Sequence, residues 1–199
     1  MKHFLVFVLS AFMILPAFGQ EDEEETTTYE EEEEEVPYVM SEKELGFDFN
    51  FSASNFGGTG GLGVKLGFVK QEKYIFGPSV RYQHAWTNFN GLKTGFSVYG
   101  AGGFFHVRLY EYLFAGVEIE ILSSPLQNGV LYPTRNWVPV ALLGGGFSHA
   151  FGPNFRLNAG IMYDVVNHVN SPLRQGYFMH NKQGVLLPVL YRIAFFIPI

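Results

Sequence analysis

From Leu45 to the end of the chain, apolar residues alternate with polar or small ones at a period of two, and no segment shows sustained helical periodicity. The segment 113–122 is the clearest case, with Ile119 on its apolar face and Glu118 and Glu120 on the other. This alternation is typical of strands that bury one face. The sequence therefore predicts an all-β fold and argues against helical architectures.

Eight segments carry this pattern. They are predicted as strands over 45–53, 62–69, 74–87, 94–110, 113–122, 137–149, 155–166 and 185–199. The connections after the second, fourth and sixth strands are short, whereas the others, above all 123–136 and 167–184, are longer. An even number of consecutively joined strands predicts an antiparallel up-and-down barrel. The short turns and both termini would lie at one end, and the longer loops at the other.

The two faces of the strands differ in kind. One face carries bulky Phe, Ile, Val and Tyr side chains, and the other mixes glycines with charged residues. A water-soluble barrel would enclose its apolar face, but the interior of an eight-stranded barrel is too narrow for so many rings. Turned outward into water, the same side chains would aggregate. The pattern favours a transmembrane barrel with periplasmic turns, outer loops, apolar side chains outside and charges inside.

Nine charged residues fall on the inward face. They are Asp48, Lys65, Arg81, Arg108, Glu118, Glu120, Arg156, Asp164 and Arg192. Acids and bases are nearly balanced, so they are predicted to pair and close the lumen, because an unpaired buried charge costs several kcal/mol. Neighbouring Glu118 and Glu120 need bases opposite them, such as Arg81, Arg108 or Arg156. An ion path or a catalytic carboxylate pair is the alternative.

Aromatic residues concentrate near the predicted strand ends. Trp86 and Trp137 lie toward the long-loop end; Tyr74, Tyr110, Tyr112, Phe114 and Phe155 lie toward the short-turn end. Two such bands are expected where a barrel meets the two membrane surfaces. The alternative is the general preference of aromatic residues for strands, which does not predict clustering at both ends.

The N-terminal region has a different composition. A basic start, an apolar run and small residues before Gln20 predict a cleaved signal peptide over 1–19. Residues 20–44 follow as an acidic arm that is expected to be disordered, because 11 of the 15 residues from Glu21 to Glu35 are acidic. The predicted barrel, 45–199, is mildly basic, although the whole chain carries a net charge of -6. The signal peptide predicts export of the chain from the cytoplasm.

Several function classes find no support. The chain has no Cys, and its 6 His are scattered, so no metal site is predicted. The glycines occupy strand positions rather than a phosphate-binding loop, so no cofactor is predicted. The small, dispersed basic excess gives no case for nucleic-acid binding.

Repeated patterns such as GLGVKLG at 61–67 and LNAGIMY at 157–163 support a family resemblance. The chain resembles the small eight-stranded outer-membrane barrels of the OmpA/OmpX type, and it resembles the outer-membrane β-barrel domain proteins of Bacteroidota more closely. The resemblance implies residence in the outer membrane of a Gram-negative bacterium, among outer-membrane lipids. The first function hypothesis is a non-enzymatic barrel with a structural role in envelope integrity, a role in surface contact, or a role as an accessory subunit. The acidic arm, on the periplasmic side in the predicted topology, would then dock another envelope protein.

Two other functions stay open at this point. Some barrels resembling this one hydrolyse lipid A with an outward His and Ser oriented by a carboxylate. The candidates here are His84, His149 with Ser148, and His168 with Ser171, although each His has a plain loop or interfacial reading. A small porin is the other option, and the narrow interior of eight strands counts against it.

Overall fold

The structure, a computed structural model, describes residues 41–54, 57–89, 92–110, 112–127 and 130–199. Ten strands and one short 3-10 helix, Pro172–Gly176, occupy these ranges. The strands are β1 (Lys43–Ser54), β2 (Gly57–Lys70), β3 (Tyr74–Phe89), β4 (Leu92–Leu109), β5 (Leu113–Gln127), β6 (Val130–Ala150), β7 (Arg156–Asp164), β8 (Met179–His180), β9 (Leu186–Leu187) and β10 (Val189–Pro198). The predicted signal peptide and most of the predicted arm lie outside the described residues.

Eight of these strands close into a barrel. Their order around it is β1-β10-β7-β6-β5-β4-β3-β2, and every neighbouring pair is antiparallel. Closure comes from β1 and β10, where Leu45 lies opposite Ile197 and Phe49 opposite Ile193. The predicted eight-stranded, antiparallel, up-and-down barrel is confirmed. The short strands β8 and β9 form a separate hairpin.

Both ends of the barrel can be named from the chain path. The lower end holds the short connections 71–73 and 151–155, the start of β1, the end of β10, and Tyr110 and Tyr112 between β4 and β5. In the first of these, Gln71 and Glu72 both have positive φ, at 53° and 58°. Two successive left-handed residues match the twist of a tight hairpin. The upper end holds the ends of β1, β3 and β5, the starts of β2, β4 and β6, and the connection 165–188.

The predicted loop at 123–136 is wrong in its extent. Strand β5 continues to Gln127 and β6 begins at Val130, so most of this segment is a long hairpin. The prediction failed because Ser123, Ser124 and two prolines interrupt the apolar alternation, whereas a ladder between adjacent strands needs only backbone groups. Pro125 has no N–H, and the β5–β6 register shifts between Ser124 and Leu126.

One upper connection is long, and it covers the barrel mouth. Within 165–188, the 3-10 helix buries Pro172 and Leu173 and contacts β1, β2 and β5. Gln83 of β3 donates from Nε2 to the Pro172 carbonyl at 3.3 Å. Residues 165–188, called the mouth loop below, close the upper end of the barrel.

No helix in the described ranges is long and apolar enough to cross a bilayer.

Candidate functional site

The middle of the barrel interior is a balanced cluster of charges, the ionic layer. Its members are Asp48, Glu118, Glu120, Lys65, Arg81 and Arg192. They come from β1, β2, β3, β5 and β10 and meet because all of them occupy inward strand positions. All six are buried, and three carboxylates face three bases. Equal and opposite charge within a low-dielectric interior offsets the cost of removing each ion from water.

Arg81 is the centre of the ionic layer. Its Nε lies 2.7 Å from Glu120 Oε2, and its Nη1 lies 2.8 Å from Asp48 Oδ1. Arg192 Nη1 reaches the same Asp48 oxygen at 2.9 Å. The Arg81 guanidinium thereby joins β3 to β5 and β1 across the lumen, an arrangement that its rigid fork of donors suits.

Glu118 collects the other bases. Lys65 donates to Glu118 Oε1 and also lies 3.2 Å from Asp48 Oδ2. Arg192 Nη2 approaches Glu118 Oε2 at 3.4 Å. His106, which the sequence analysis did not single out, places Nε2 3.2 Å from Glu118 Oε1. Its inward position on β4 was readable from the alternation, but a neutral side chain gave no reason to expect a partner.

The other three predicted inward charges are buried outside the ionic layer. Arg108, near the lower end, donates from Nη2 to Glu44 Oε1 at 2.6 Å. Glu44 lies just before the predicted start of the barrel, so sequence reasoning missed it, although it shares the inward parity of Asp48. Arg156 donates to Ser148 Oγ at 3.2 Å. Of the three bases suggested for Glu118 and Glu120, Arg81 lies against them, whereas Arg108 and Arg156 have these other contacts.

Apolar side chains lie above and below the ionic layer. The upper cluster contains Val98, Leu122, Val140, Leu142, Met162, Leu173, Tyr177 and Leu190. The lower cluster contains Ile75, Phe104, Ala194 and Phe196. Lys65 Nζ lies 5.4 Å from the centre of the Phe104 ring, so the lower cluster touches the ionic layer directly. The interior is therefore layered, with apolar packing on both sides of the charges.

Asp164, at the upper end of β7, fastens the mouth loop. Tyr177 donates from its hydroxyl to Asp164 Oδ2 at 2.7 Å, and Ser171 Oγ lies 3.4 Å from the same oxygen. The backbone N–H groups of Val166 and Asn167 donate to Asp164 Oδ1. Burial in the mouth raises the pKa of the Tyr177 hydroxyl, so it stays protonated and remains a donor.

Apolar side chains cover the outer wall. Exposed examples from different strands are Phe49, Leu62, Val80, Phe105, Ile119, Leu143 and Ile161. Monomers in water rarely expose a contiguous apolar surface of this kind. The acids of the described strands, by contrast, are all buried in the interior: Glu44, Asp48, Glu118, Glu120 and Asp164.

The predicted interfacial aromatics lie at the two ends of this wall, with one exception. At the upper end, Trp137 is 64% exposed, and Trp86 is half-buried. At the lower end, Tyr74 stacks on Phe105, Tyr112 stacks on Phe147, and Tyr110 is 91% exposed.

The exception is Phe114, whose assignment to the lower aromatic band is wrong. Its side chain is buried in the interior, where the ring lies 5.5 Å from His106. Phe114 shares the parity of Glu118, so the period-two rule sends it inward. Phe155, also assigned to the lower band, is half-buried and stacks on Phe195.

Neither of the two candidate His–Ser pairs forms. His149 stacks outward among aromatic rings, whereas Ser148 is buried and donates to Asn158 Oδ1 at 2.7 Å. Adjacent strand residues point to opposite faces, so these two side chains cannot meet. Ser171 contacts Asp164, and His168 Nδ1 accepts the Asn170 backbone N–H at 3.1 Å.

His84 has a serine partner that the sequence did not indicate. Its Nδ1 lies 3.1 Å from Ser97 Oγ on β4, and the Tyr82 hydroxyl lies 2.9 Å from the same oxygen. The β3–β4 register places Ser97 directly opposite His84. Register depends on how two strands pair, so composition could not reveal it. The His84 ring also stacks on Trp86 at 6.5 Å.

In the part of the chain that the structure describes, no group of three or more His, Cys, Asp or Glu side chains could hold a metal ion. Comparisons of the chain with protein-family models, curated proteins and solved structures found no match. Its function must therefore be inferred from the barrel's own side chains.

Proposed function

We propose that this chain is a non-enzymatic outer-membrane barrel with a closed lumen, serving as a structural or accessory element of the envelope. The observation that carries the proposal is the sidedness of the wall. Six buried charges pair inside, while large apolar side chains cover the outside. That distribution suits a bilayer, where lipid replaces water around the barrel.

Strand lengths also support a membrane location. A spanning strand needs roughly 9–11 residues. The shortest barrel strand, β7, has 9 residues, and β6 has 21. We propose that the upper ends of β5 and β6 extend beyond the bilayer on the outer side. Residues 130–134 of β6 would then face water, and Arg135 would lie at the level of the lipid headgroups.

The packed interior supports a closed lumen rather than a porin. An upper-end cavity bordered by Asn50, Gln83, Leu173 and Arg192 measures only about 10 Å³, close to the volume needed for one water. The ionic layer and both apolar clusters fill the barrel around it. An eight-stranded barrel is just wide enough for such side chains.

Refolding into phospholipid vesicles tests the membrane location. The expected result is a folded species that migrates faster than the boiled protein on a gel and whose barrel resists external protease. The matched control is the same protein refolded without lipid or detergent. A soluble, folded monomer in that control would overturn the proposal. Planar-bilayer recordings then test the lumen, where discrete conductance steps would contradict closure, with a general porin as the positive control.

The accessory role is tested through the acidic arm. One variant deletes residues 21–35, and a matched variant keeps the length but replaces each acid with its amide. If the arm docks a basic partner, both variants lose the same co-purifying protein from native membranes, because the charges supply the attraction. Retention of all partners by both variants would remove the docking role and leave the structural one.

Lipid A hydrolysis is the second candidate, favoured by the His84–Ser97 contact of 3.1 Å on the outer wall. It ranks second because the acids of the described strands all lie in the interior, where none can orient an outward imidazole. Expression of the wild type and of Ser97→Ala, followed by mass analysis of lipid A, tests this function. Loss of an acyl chain with the wild type alone would establish hydrolysis; unchanged lipid A with both supports the non-enzymatic proposal.

A further inference from the structure

The outer wall of the barrel has a groove over β2 to β6 at its upper half. The groove is about 730 Å³ in volume and is lined mainly by Leu62, Val80, Tyr82, Ala101, Ile121 and Trp137. It forms because Ala101 lies between the larger Val80 and Ile121 on the neighbouring strands. Its volume falls within the roughly 300–1,000 Å³ of small-molecule sites.

Polar groups from three strands converge at the upper end of this groove. Arg135 lies over the Tyr99 ring, 4.8 Å from guanidinium carbon to ring centre, and Tyr99 packs against Trp137. The hydroxyls of Tyr82 and Ser97 and the imidazole of His84 lie alongside. We call Arg135, Tyr82, His84 and Ser97 the collar.

Arg135 is held in place by the barrel. Its Nε donates to Ser123 Oγ at 2.9 Å, and its Nη2 donates to the Ser97 carbonyl at 2.6 Å. Nη1 carries two further N–H donors, and the guanidinium is a cation. Since the acids of the described strands are all buried in the interior, none of them can balance this outward charge.

We propose that the groove and collar bind one anionic, phosphate-bearing lipid. An acyl chain occupies the groove, and the phosphate accepts hydrogen bonds from Arg135 and from one of the two collar hydroxyls, since the other donates within the Tyr82–Ser97 contact. Guanidinium binds phosphate with paired, charge-assisted hydrogen bonds. This inference rests on the proposed membrane location and adds a ligand class to it.

The charge of the headgroup, rather than the fit of the acyl chain, decides which lipid occupies the site. Bulk lipid tails are as apolar as the groove wall, so packing a tail there gives little preference over the surrounding bilayer. The headgroup contact distinguishes an anionic from a zwitterionic lipid. Arg135 is therefore the residue on which selectivity depends, while Ala101 determines whether the groove exists.

Fluorescence of Trp137 provides the test. The chain has 2 Trp, so Trp86→Phe leaves Trp137, in the groove wall, as the only reporter. This protein is placed in phosphatidylcholine vesicles with a minor fraction of phosphatidylglycerol, with bromine on the chains of one lipid or the other. Brominated chains quench Trp on contact. Brominated phosphatidylglycerol is expected to quench Trp137 more strongly than its fraction of the bilayer lipid predicts. Added inorganic phosphate should leave this quenching unchanged.

Variants in the same background separate the two contributions. Arg135→Gln is expected to lower the preference for phosphatidylglycerol about threefold to tenfold, as loss of a charge-assisted hydrogen bond implies. Arg135→Lys should retain part of it. Ala101→Phe fills the groove and should reduce quenching to the level of bulk lipid, whereas Ala159→Phe, the matched change on the outer face of β7, should not.

The outcomes that overturn the site are distinct from those that overturn the membrane location. Every variant is first checked for the gel shift of the folded barrel in vesicles, and failure of the wild type there would remove the membrane proposal itself. With insertion intact, an equal preference in wild type and Arg135→Gln would refute the lipid site. A wild-type dimer that Ala101→Phe converts to a monomer would instead assign the groove to a second copy of the chain.

Discussion

Arg81 and Glu120 form a two-pronged ion pair inside the barrel, with Nε 2.7 Å from Oε2 and Nη2 2.7 Å from Oε1. The third nitrogen of Arg81, Nη1, contacts Asp48 at 2.8 Å. One guanidinium therefore neutralises carboxylates from β1 and β5, neither of which is adjacent to β3 in the barrel. This makes Arg81 the most consequential side chain in the interior.

Replacing Arg81 with Met should lower the free energy of unfolding by about 3–5 kcal/mol, because buried carboxylates would lose their principal base. Arg81→Lys should recover only part of this, since an ammonium cannot form both prongs. Urea unfolding in vesicles, followed by Trp fluorescence, measures the change. Arg174→Met on the mouth loop is the matched control. Equal midpoints for Arg81→Met and the control would contradict the central position of Arg81.

The two neighbouring glutamates should differ in importance. Glu118 contacts Lys65, Arg192 and His106, whereas Glu120 is bonded to Arg81. Glu118→Gln should therefore destabilise the barrel more than Glu120→Gln, by about 1–2 kcal/mol, because more buried cations and donors lose a charged acceptor. The same urea titration compares the two isosteric variants. The reverse order would show that the Arg81 pair dominates the ionic layer.

An interior glycine makes room for the charges. A Cβ at Gly63 would overlap the Asp48 carboxylate, whereas one at Gly103 would meet only the Gly77 carbonyl oxygen, at 3.4 Å. Gly63→Ala should cost about 1–3 kcal/mol through overpacking. Gly103→Ala should be neutral or slightly stabilising, because Ala loses less entropy than Gly in a strand. Similar unfolding energies for the two variants would mean that Asp48 can move aside freely.

The mouth loop should loosen when its hydroxyl contact is removed. Tyr177→Phe deletes the donor to Asp164 Oδ2 and should destabilise the closed loop by about 1 kcal/mol, raising the open population roughly fivefold. Trypsin cleavage at Arg174 and Lys182 reports that population in the folded protein. Tyr163→Phe, on the outer face beside Asp164, serves as the control. An unchanged cleavage rate would show that the apolar contacts of Leu173 alone hold the loop.

The apolar wall should not accept a charge at mid-height. Ile119→Arg should lower stability in vesicles by about 2–4 kcal/mol if the wall faces lipid. Val130→Arg, at the upper end of β6 beyond the proposed bilayer, should have little effect. Both residues are exposed, at 59% and 57%, so a barrel in water would tolerate both changes equally. Equal stability of the two variants in vesicles would argue against lipid contact.

Sequence periodicity predicted the architecture because alternation repeats in every strand and is a local property. The alternation assigned Asp48, Arg81 and Glu118 to the inward face. The same rule, applied to Phe114, would have placed that side chain inward as well. The extent of β5 and β6 was missed, since Ser123, Pro125 and Pro133 hide a ladder that depends on the partner strand. Glu44 was missed because a boundary drawn at Leu45 separated it from its own strand.

The amino-acid order by itself determined which side chains share a face, because successive strand residues must point in opposite directions. Only the tertiary structure decided which of them meet. Arg81 bonds Glu120, Arg108 bonds Glu44 and His84 faces Ser97 because closure of the barrel sets one register between strands distant in sequence. Tyr177 reaches Asp164 because the mouth loop folds back over the barrel end. Register and loop path arise from the summed contacts of the whole barrel, which no single segment encodes.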